Sequence, residues 1–136
     1  MSIDLVVPVY NEEQTIPGFL ENIENQTTSA GEKLPRGFVR VIVVDNGSTD
    51  STVQIVEDQR KHGALAITLV HEPCKSHIAA RIRGADYAIQ SDTQSQRPLL
   101  VNCDVDTRYQ ATWIAEIAAR LSRNSAVDVL SYAGYF

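Results

Sequence analysis

Apolar runs, each closed by polar or turn residues and each followed by helical periodicity, constrain this chain most. Strands alternating with helices imply right-handed βαβ units, and so a mostly parallel sheet with helices on both faces. The first run, Ile3-Asp4-Leu5-Val6-Val7-Pro8-Val9, is continuous in its apolar part, as expected of a strand covered on both sides. The second, residues 38–45, is rich in β-branched side chains and stops at the turn cluster Asn46-Gly47-Ser48-Thr49-Asp50. Residues 66–70 form a third strand, ending at His71-Glu72-Pro73, and residues 98–103 a fourth. The fold class is α/β, with Rossmann-like layering.

The intervening segments carry the period of helices. Ile16, Phe19, Leu20 and Ile23 mark the first, with Asn11 or Thr15 as cap and Pro17 in the first turn, where a missing N–H costs little. Val53, Ile55 and Val56 mark the second, capped by Asp50 or Ser51, with Ser51 and Gln54 spaced as a capping box. A third over residues 76–90 places Ile78, Ile82, Ala85 and Ile89 on one stripe, the pattern of a core-facing helix. Trp113, Ile114, Ile117, Ala118 and Leu121 mark the fourth. Residues 26–37 and 91–97 are polar and read as loops.

Composition narrows the class of function. A chain of 136 residues, 43% hydrophobic, suits one domain with a sizeable core. No apolar run approaches the ~18 residues of a membrane span, and the start lacks the basic and apolar regions of a secretory signal. A cytoplasmic protein is expected, with any membrane association left to segments outside this sequence. The net charge of −5 argues against a nucleic-acid partner, because no basic stripe is available for phosphates. Cys74 and Cys103 match no metal or redox spacing, and Cys103, inside an apolar run, reads as a small buried hydrophobe. His62, His71 and His77 show no metal-ligand spacing either.

Ligands of open parallel sheets bind outside the carboxyl ends of the strands. There the first strand delivers Pro8, Val9, Tyr10, Asn11 and Glu12, the second Asp45 and a Gly/Ser/Thr turn, and the fourth Asp104, Val105 and Asp106. Two aspartates flanking one residue at a strand end suit a hard divalent cation that keeps several waters and shares substrate phosphates. Asp45 can accept hydrogen bonds from a base or ribose hydroxyl; it can also simply form the turn with Asn46-Gly47. Lys75, Arg81 and Arg83 follow the third strand, where a cation can meet phosphate or lie on a solvated face. The turn matches neither the dinucleotide fingerprint nor a Walker A loop, and no hydrolytic triad is visible.

Three of these segments carry a family resemblance. Residues 7–13, residues 43–52 and Asp104-Val105-Asp106 together resemble family 2 glycosyltransferases of the GT-A fold. The Asp45-Asn46-Gly47-Ser48-Thr49-Asp50-Ser51-Thr52 turn is the most specific match. Ala80-Arg81-Ile82-Arg83-Gly84 is similar to the family's Ala-Arg-Asn-x-Gly helix, with Ile82 in place of the usual Asn. The resemblance implies inverting transfer of a sugar from a nucleoside diphosphate sugar, UDP-linked by preference, with Mn²⁺ or Mg²⁺ as cofactor. It implies that Pro8, Tyr10 and Glu12 line the nucleotide pocket, that Asp45 contacts the base, and that Arg81 approaches the base or phosphates. Asp104 would contact the ribose or metal, and Asp106 would ligate the metal.

The family's acceptor-facing half, with its carboxylate general base, has no counterpart here. Residues 1–136 are therefore expected to be a single donor-binding half, a fragment of a longer protein, with the acceptor (polysaccharide, lipid or small molecule) unassigned. A nucleotide-binding module without transferase activity is the alternative. A nucleotidyltransferase is disfavoured, because Tyr10-Asn11-Glu12-Glu13 lacks a Gly-rich basic loop. The apolar tail of residues 127–136 predicts an unfinished sheet edge and hence a homo-oligomer.

Overall fold

The computed structural model describes residues 2–92 and 99–123. The elements run β1 (Ile3–Val9), α1 (Ile16–Glu24), β2 (Val39–Asp45), α2 (Thr52–His62), β3 (Ala66–His71), α3 (His77–Gln90), β4 (Leu99–Asn102) and α4 (Trp113–Arg123). The strands form a parallel sheet in the order β3-β2-β1-β4. The tail of residues 127–136, and the sheet edge expected there, lie outside the described residues.

Strand period sorts the core into two layers. Ile3, Leu5, Val7 and Val9 of β1 face α1 and α4, meeting Ile16, Phe19, Leu20, Ile23, Trp113 and Ile114. Val6 of β1 faces the opposite way, with Ile42 and Val44 of β2 and Ala80 and Ala88 of α3. Both faces of β1 are thus covered, which is why its apolar run does not alternate.

α3 lies on the sheet by a face other than the expected one. Its buried residues are Ala80, Gly84 and Ala88, whereas Ile78, Ile82 and Ile89 are exposed, Ile82 at 56%. Small residues spaced by four let the helix axis come close to the strands. A Cβ on Gly84 would fall inside contact distance of Val6 Cγ1 and 3.0 Å from Val44 Cγ2. Two stiff valines cannot give way cheaply, so the glycine of the 80–84 segment is fixed by packing. Gly84→Val should cost about 2 kcal/mol through overpacking, while Ile82→Gln should stay within about 0.5 kcal/mol. Paired urea melts of the two variants check both values.

The expected helix caps also resolve differently. Thr15 is the N-cap of α1 and makes no side-chain cap bond, with Pro17 in the first turn as expected. Ser51 is the N-cap of α2 but makes no side-chain cap bond; the Asp50 carboxylate takes the Thr52 amide at 2.9 Å, and Gln54 donates to Asp58 instead of closing a capping box.

Candidate functional site

The strand order reverses about β1, so the segments after β1 and β4 flank a topological switch point, where such sheets bind ligands. Backbone bonds carry the ladder into these segments: Asn46 N–H to the Val9 carbonyl, Glu72 N–H to that of Asp45, and Cys103 N–H to that of Val6, each at 2.9 Å. The Asp45-Asn46-Gly47 turn, the β3–α3 loop and the Asp104–Asp106 segment therefore start from fixed positions.

Asn11 ties the first loop to the second. It sits at φ 49°, a left-handed conformation that asparagine tolerates better than most residues. Its Oδ1 accepts from the amides of Thr49 at 2.7 Å and Asp50 at 3.3 Å, and its own N–H donates to Ser48 Oγ at 2.9 Å. Asn11 is thus a strut between loops and not a helix cap. Asp50 and Glu13 add reciprocal bonds, from Glu13 N–H to Asp50 and from Ser51 N–H to Glu13. Desolvation, the largest single influence on the Asp50 carboxyl, raises its pKa, but bonds from the Thr52 hydroxyl and amide and the Glu13 amide outweigh it and hold it below the usual value.

Asn46 sets the β3–α3 loop. Its amide donates to the carbonyls of Glu72 at 2.9 Å and Cys74 at 2.7 Å, and its Oδ1 accepts from Ser76 N–H at 3.1 Å. Ser76 in turn caps α3, its side chain accepting from Ala79 N–H. This arrangement closes a cleft of about 210 Å³ lined by Pro8, Val9, Tyr10, Asn46, Lys75, Ser76 and His77. Whole ligand sites span roughly 300–1,000 Å³, so this cleft suits part of a ligand, such as a planar ring. Tyr10 is 41% exposed at its mouth. Lys75 Nζ lies 3.3 Å from the Tyr10 hydroxyl and 4.9 Å from its ring centroid.

Of the residues expected at the site, Pro8 and Tyr10 line the cleft and Asp45 does not. Asp45 is buried beside it, accepting from Ser48 N–H at 3.1 Å and facing His71 Nδ1 at 3.4 Å. The turn-forming role is therefore real, and His71 is a partner that spacing alone could not identify. Glu12 contributes its backbone: its N–H bonds Thr52 Oγ1 and its carbonyl opens α1 through Thr15 and Ile16. Arg81 reaches from α3 to Asp104 Oδ1 at 2.6 Å, joining two expected site residues.

The segment after β4 is held from α1. Asn22 exchanges bonds with both backbone groups of Tyr109, and buried Gln26 bonds the Gln110 carbonyl and the Ile114 amide. Tyr109 stacks on Trp113 at 3.8 Å and receives the Asp104 N–H. Beneath it, burial pushes the Cys103 thiol up to about 12, which keeps it protonated and fits a packing role. Asp104 and Asp106 both remain exposed, and among the described residues Asp106 has no hydrogen-bond or ion-pair partner.

Among the described residues no three His, Cys, Asp or Glu side chains come together as a self-sufficient metal cage. Two exposed carboxylates at one strand end do fit Mn²⁺ or Mg²⁺, which bind through one or two carboxylates plus substrate phosphates.

The family model described as Glycosyl transferase family 2 matches residues 4–136. The chain belongs to this family. Its sheet is that of the GT-A members. The S. aureus TarS 1–349 complex with UDP superposes with a TM-score of 0.68 at 23% identity, over 90% of this chain and 32% of that 1–349 chain. The Pyrobaculum calidifontis mannosyltransferase PcManGT, solved with GDP-Man and Mn²⁺, gives 0.65 at 29% identity over 93% of this chain and 32% of its own. An undecaprenyl-phosphate 4-deoxy-4-formamido-L-arabinose transferase of Pseudomonas fluorescens is 27% identical, over 89% of this chain and 32% of its own length. A prophage bactoprenol glucosyl transferase homolog of Escherichia coli is 28% identical, over 92% of this chain and 41% of its own. This family 2 chain therefore spans about a third of the length of the first of these curated relatives.

Proposed function

We propose that this chain is the donor-binding part of a glycosyltransferase, taking a nucleoside diphosphate sugar with a divalent cation for inverting transfer to an acceptor. The observation that carries this reading is the pairing of a ring-sized cleft with two exposed aspartates across the switch point of β1 and β4. The base of the nucleotide enters the cleft on Tyr10, over Pro8 and Val9, with Lys75 displaced from the ring it now covers. Asp45, held by Ser48 and His71, presents a carboxylate to a ring N–H at the edge of the cleft.

The diphosphate then runs toward Asp104 and Asp106, past the N-terminus of α3 and Arg81, where free amides, the helix dipole and the guanidinium favour an anion. Asp106, assisted by Asp104, holds the cation. Bound Mn²⁺ or Mg²⁺ supplies charge that offsets the leaving diphosphate. Neighbours bind UDP, UDP-GlcNAc and GDP-Man in their own structures, and of these uridine is the base we assign. Acceptor choice and the general base belong to an acceptor-facing half outside residues 1–136. A nucleotide-binding module lacking transfer is separated by donor hydrolysis or transfer in the longer protein.

Thermal stability with UDP, GDP, CDP and dTDP, each with and without Mn²⁺, tests the reading. A ligand at ~100 times its dissociation constant adds about 2.7 kcal/mol, a shift of several degrees for this size. The expected result is a Mn²⁺-dependent shift with UDP that Tyr10→Ala reduces by about half or more, since base stacking on an aromatic contributes about 1–3 kcal/mol. No shift with any nucleotide, from a folded protein, would remove the donor-site reading.

A further inference from the structure

The Arg81–Asp104 pair joins residues 23 apart in the chain, on elements that approach the switch point from different sides. It is a single charge-assisted bond of 2.6 Å, with Arg81 31% and Asp104 65% exposed. Asp106, two residues on, has no partner among the described residues. One of the two carboxylates suited to a cation is therefore already neutralised by the protein's own cation, and the other is not.

We propose that Arg81 is a resident cation that couples metal binding to diphosphate binding. This inference rests on the donor-site reading given above. Without a nucleotide, the guanidinium occupies Asp104 and repels a divalent ion from the two carboxylates. An arriving diphosphate supplies Arg81 with a new partner that matches its planar fork better than one carboxylate oxygen. Asp104 is then released to face the incoming cation. Metal and diphosphate thereby each favour the other's binding, as linkage requires. Arg81 acts through Asp104 and is a positioning residue. The isoleucine that follows it, in place of the family's asparagine, points to solvent and offers Arg81 no competing acceptor.

Binding of Mn²⁺ alone, followed by its electron paramagnetic resonance signal, tests the proposal on the protein, Arg81→Gln and Arg81→Lys. Arg81→Gln should bind free Mn²⁺ roughly tenfold more tightly than the parent, and UDP should no longer improve Mn²⁺ binding, coupling of this kind typically being ~5–150-fold. Arg81→Lys keeps the charge and should keep the parent's weak Mn²⁺ binding. A merely structural strut would lower thermal stability in both variants and leave free Mn²⁺ affinity unchanged or weaker. Equal Mn²⁺ affinity in the parent and Arg81→Gln overturns the proposal. Loss of UDP binding by the parent instead overturns the donor-site reading, while the Mn²⁺-only arm still reports on Arg81.

Discussion

Arg40→Ala should lower the stability of the fold by about 3 kcal/mol and its melting temperature by roughly 10 °C. Asp4 is a charged residue second in the otherwise apolar β1, and it is only 3% exposed. Arg40 answers it from the adjacent strand with bonds of 2.9 and 2.7 Å, and also donates to Ser91 Oγ at the end of α3. Its guanidinium lies 5.7 Å from the ring centroid of Tyr87. The bond to Asp4, ahead of desolvation that works the other way, raises an arginine pKa that is already high, so the donor stays charged.

Removing Arg40 leaves Asp4 buried beside apolar strands, which typically costs about 3–5 kcal/mol; the 29% exposure of the Arg40 side chain favours the lower end. The double variant Asp4→Leu with Arg40→Met should recover most of the loss, because replacing both partners removes the orphaned charge. Chemical denaturation of the two single variants and the double measures this. A loss under 1 kcal/mol for Arg40→Ala would mean that water reaches Asp4.

On the donor-site reading, Asp106→Ala should abolish the Mn²⁺ dependence of nucleotide binding and weaken binding in the presence of Mn²⁺ by about 10–100-fold or more, since even supporting residues of metal sites are worth that much. Asp106 is the cleaner probe of the pair. It is exposed and unpartnered among the described residues, so its removal should change stability by less than about 0.5 kcal/mol. Asp104→Ala would also free Arg81 and so mixes two effects. Titration of UDP with and without Mn²⁺, beside a melt of the unliganded variant, separates a lost ligand from a lost fold. Retention of Mn²⁺-dependent binding would place the cation on other residues.

The strands and their order of chemistry were legible because β-branched runs ending in turn residues leave little choice of structure. β2 begins and ends within a residue of its expected span. The buried face of α3 was not legible, because hydrophobic periodicity selects Ile78, Ile82 and Ile89 while the sheet selects the small residues that permit close approach. Cross-loop bonds were equally hidden. Asn46 and Gln26 each organise a segment far along the chain, through amides whose partners depend on tertiary placement. Lys75 was visible only as a cation after β3, and its position over Tyr10 follows from the loop that Asn46 holds. At the site, chemistry-bearing residue types were readable, and their pairings were not.

A crystal structure of the protein with UDP and Mn²⁺ decides whether the cleft and the two aspartates form one donor site. The uracil ring is expected in the cleft against Tyr10, with Lys75 moved aside, and the cation on Asp106 with the diphosphate between it and Arg81. Nucleotide bound away from Tyr10, or a cation held without Asp106, would contradict that arrangement.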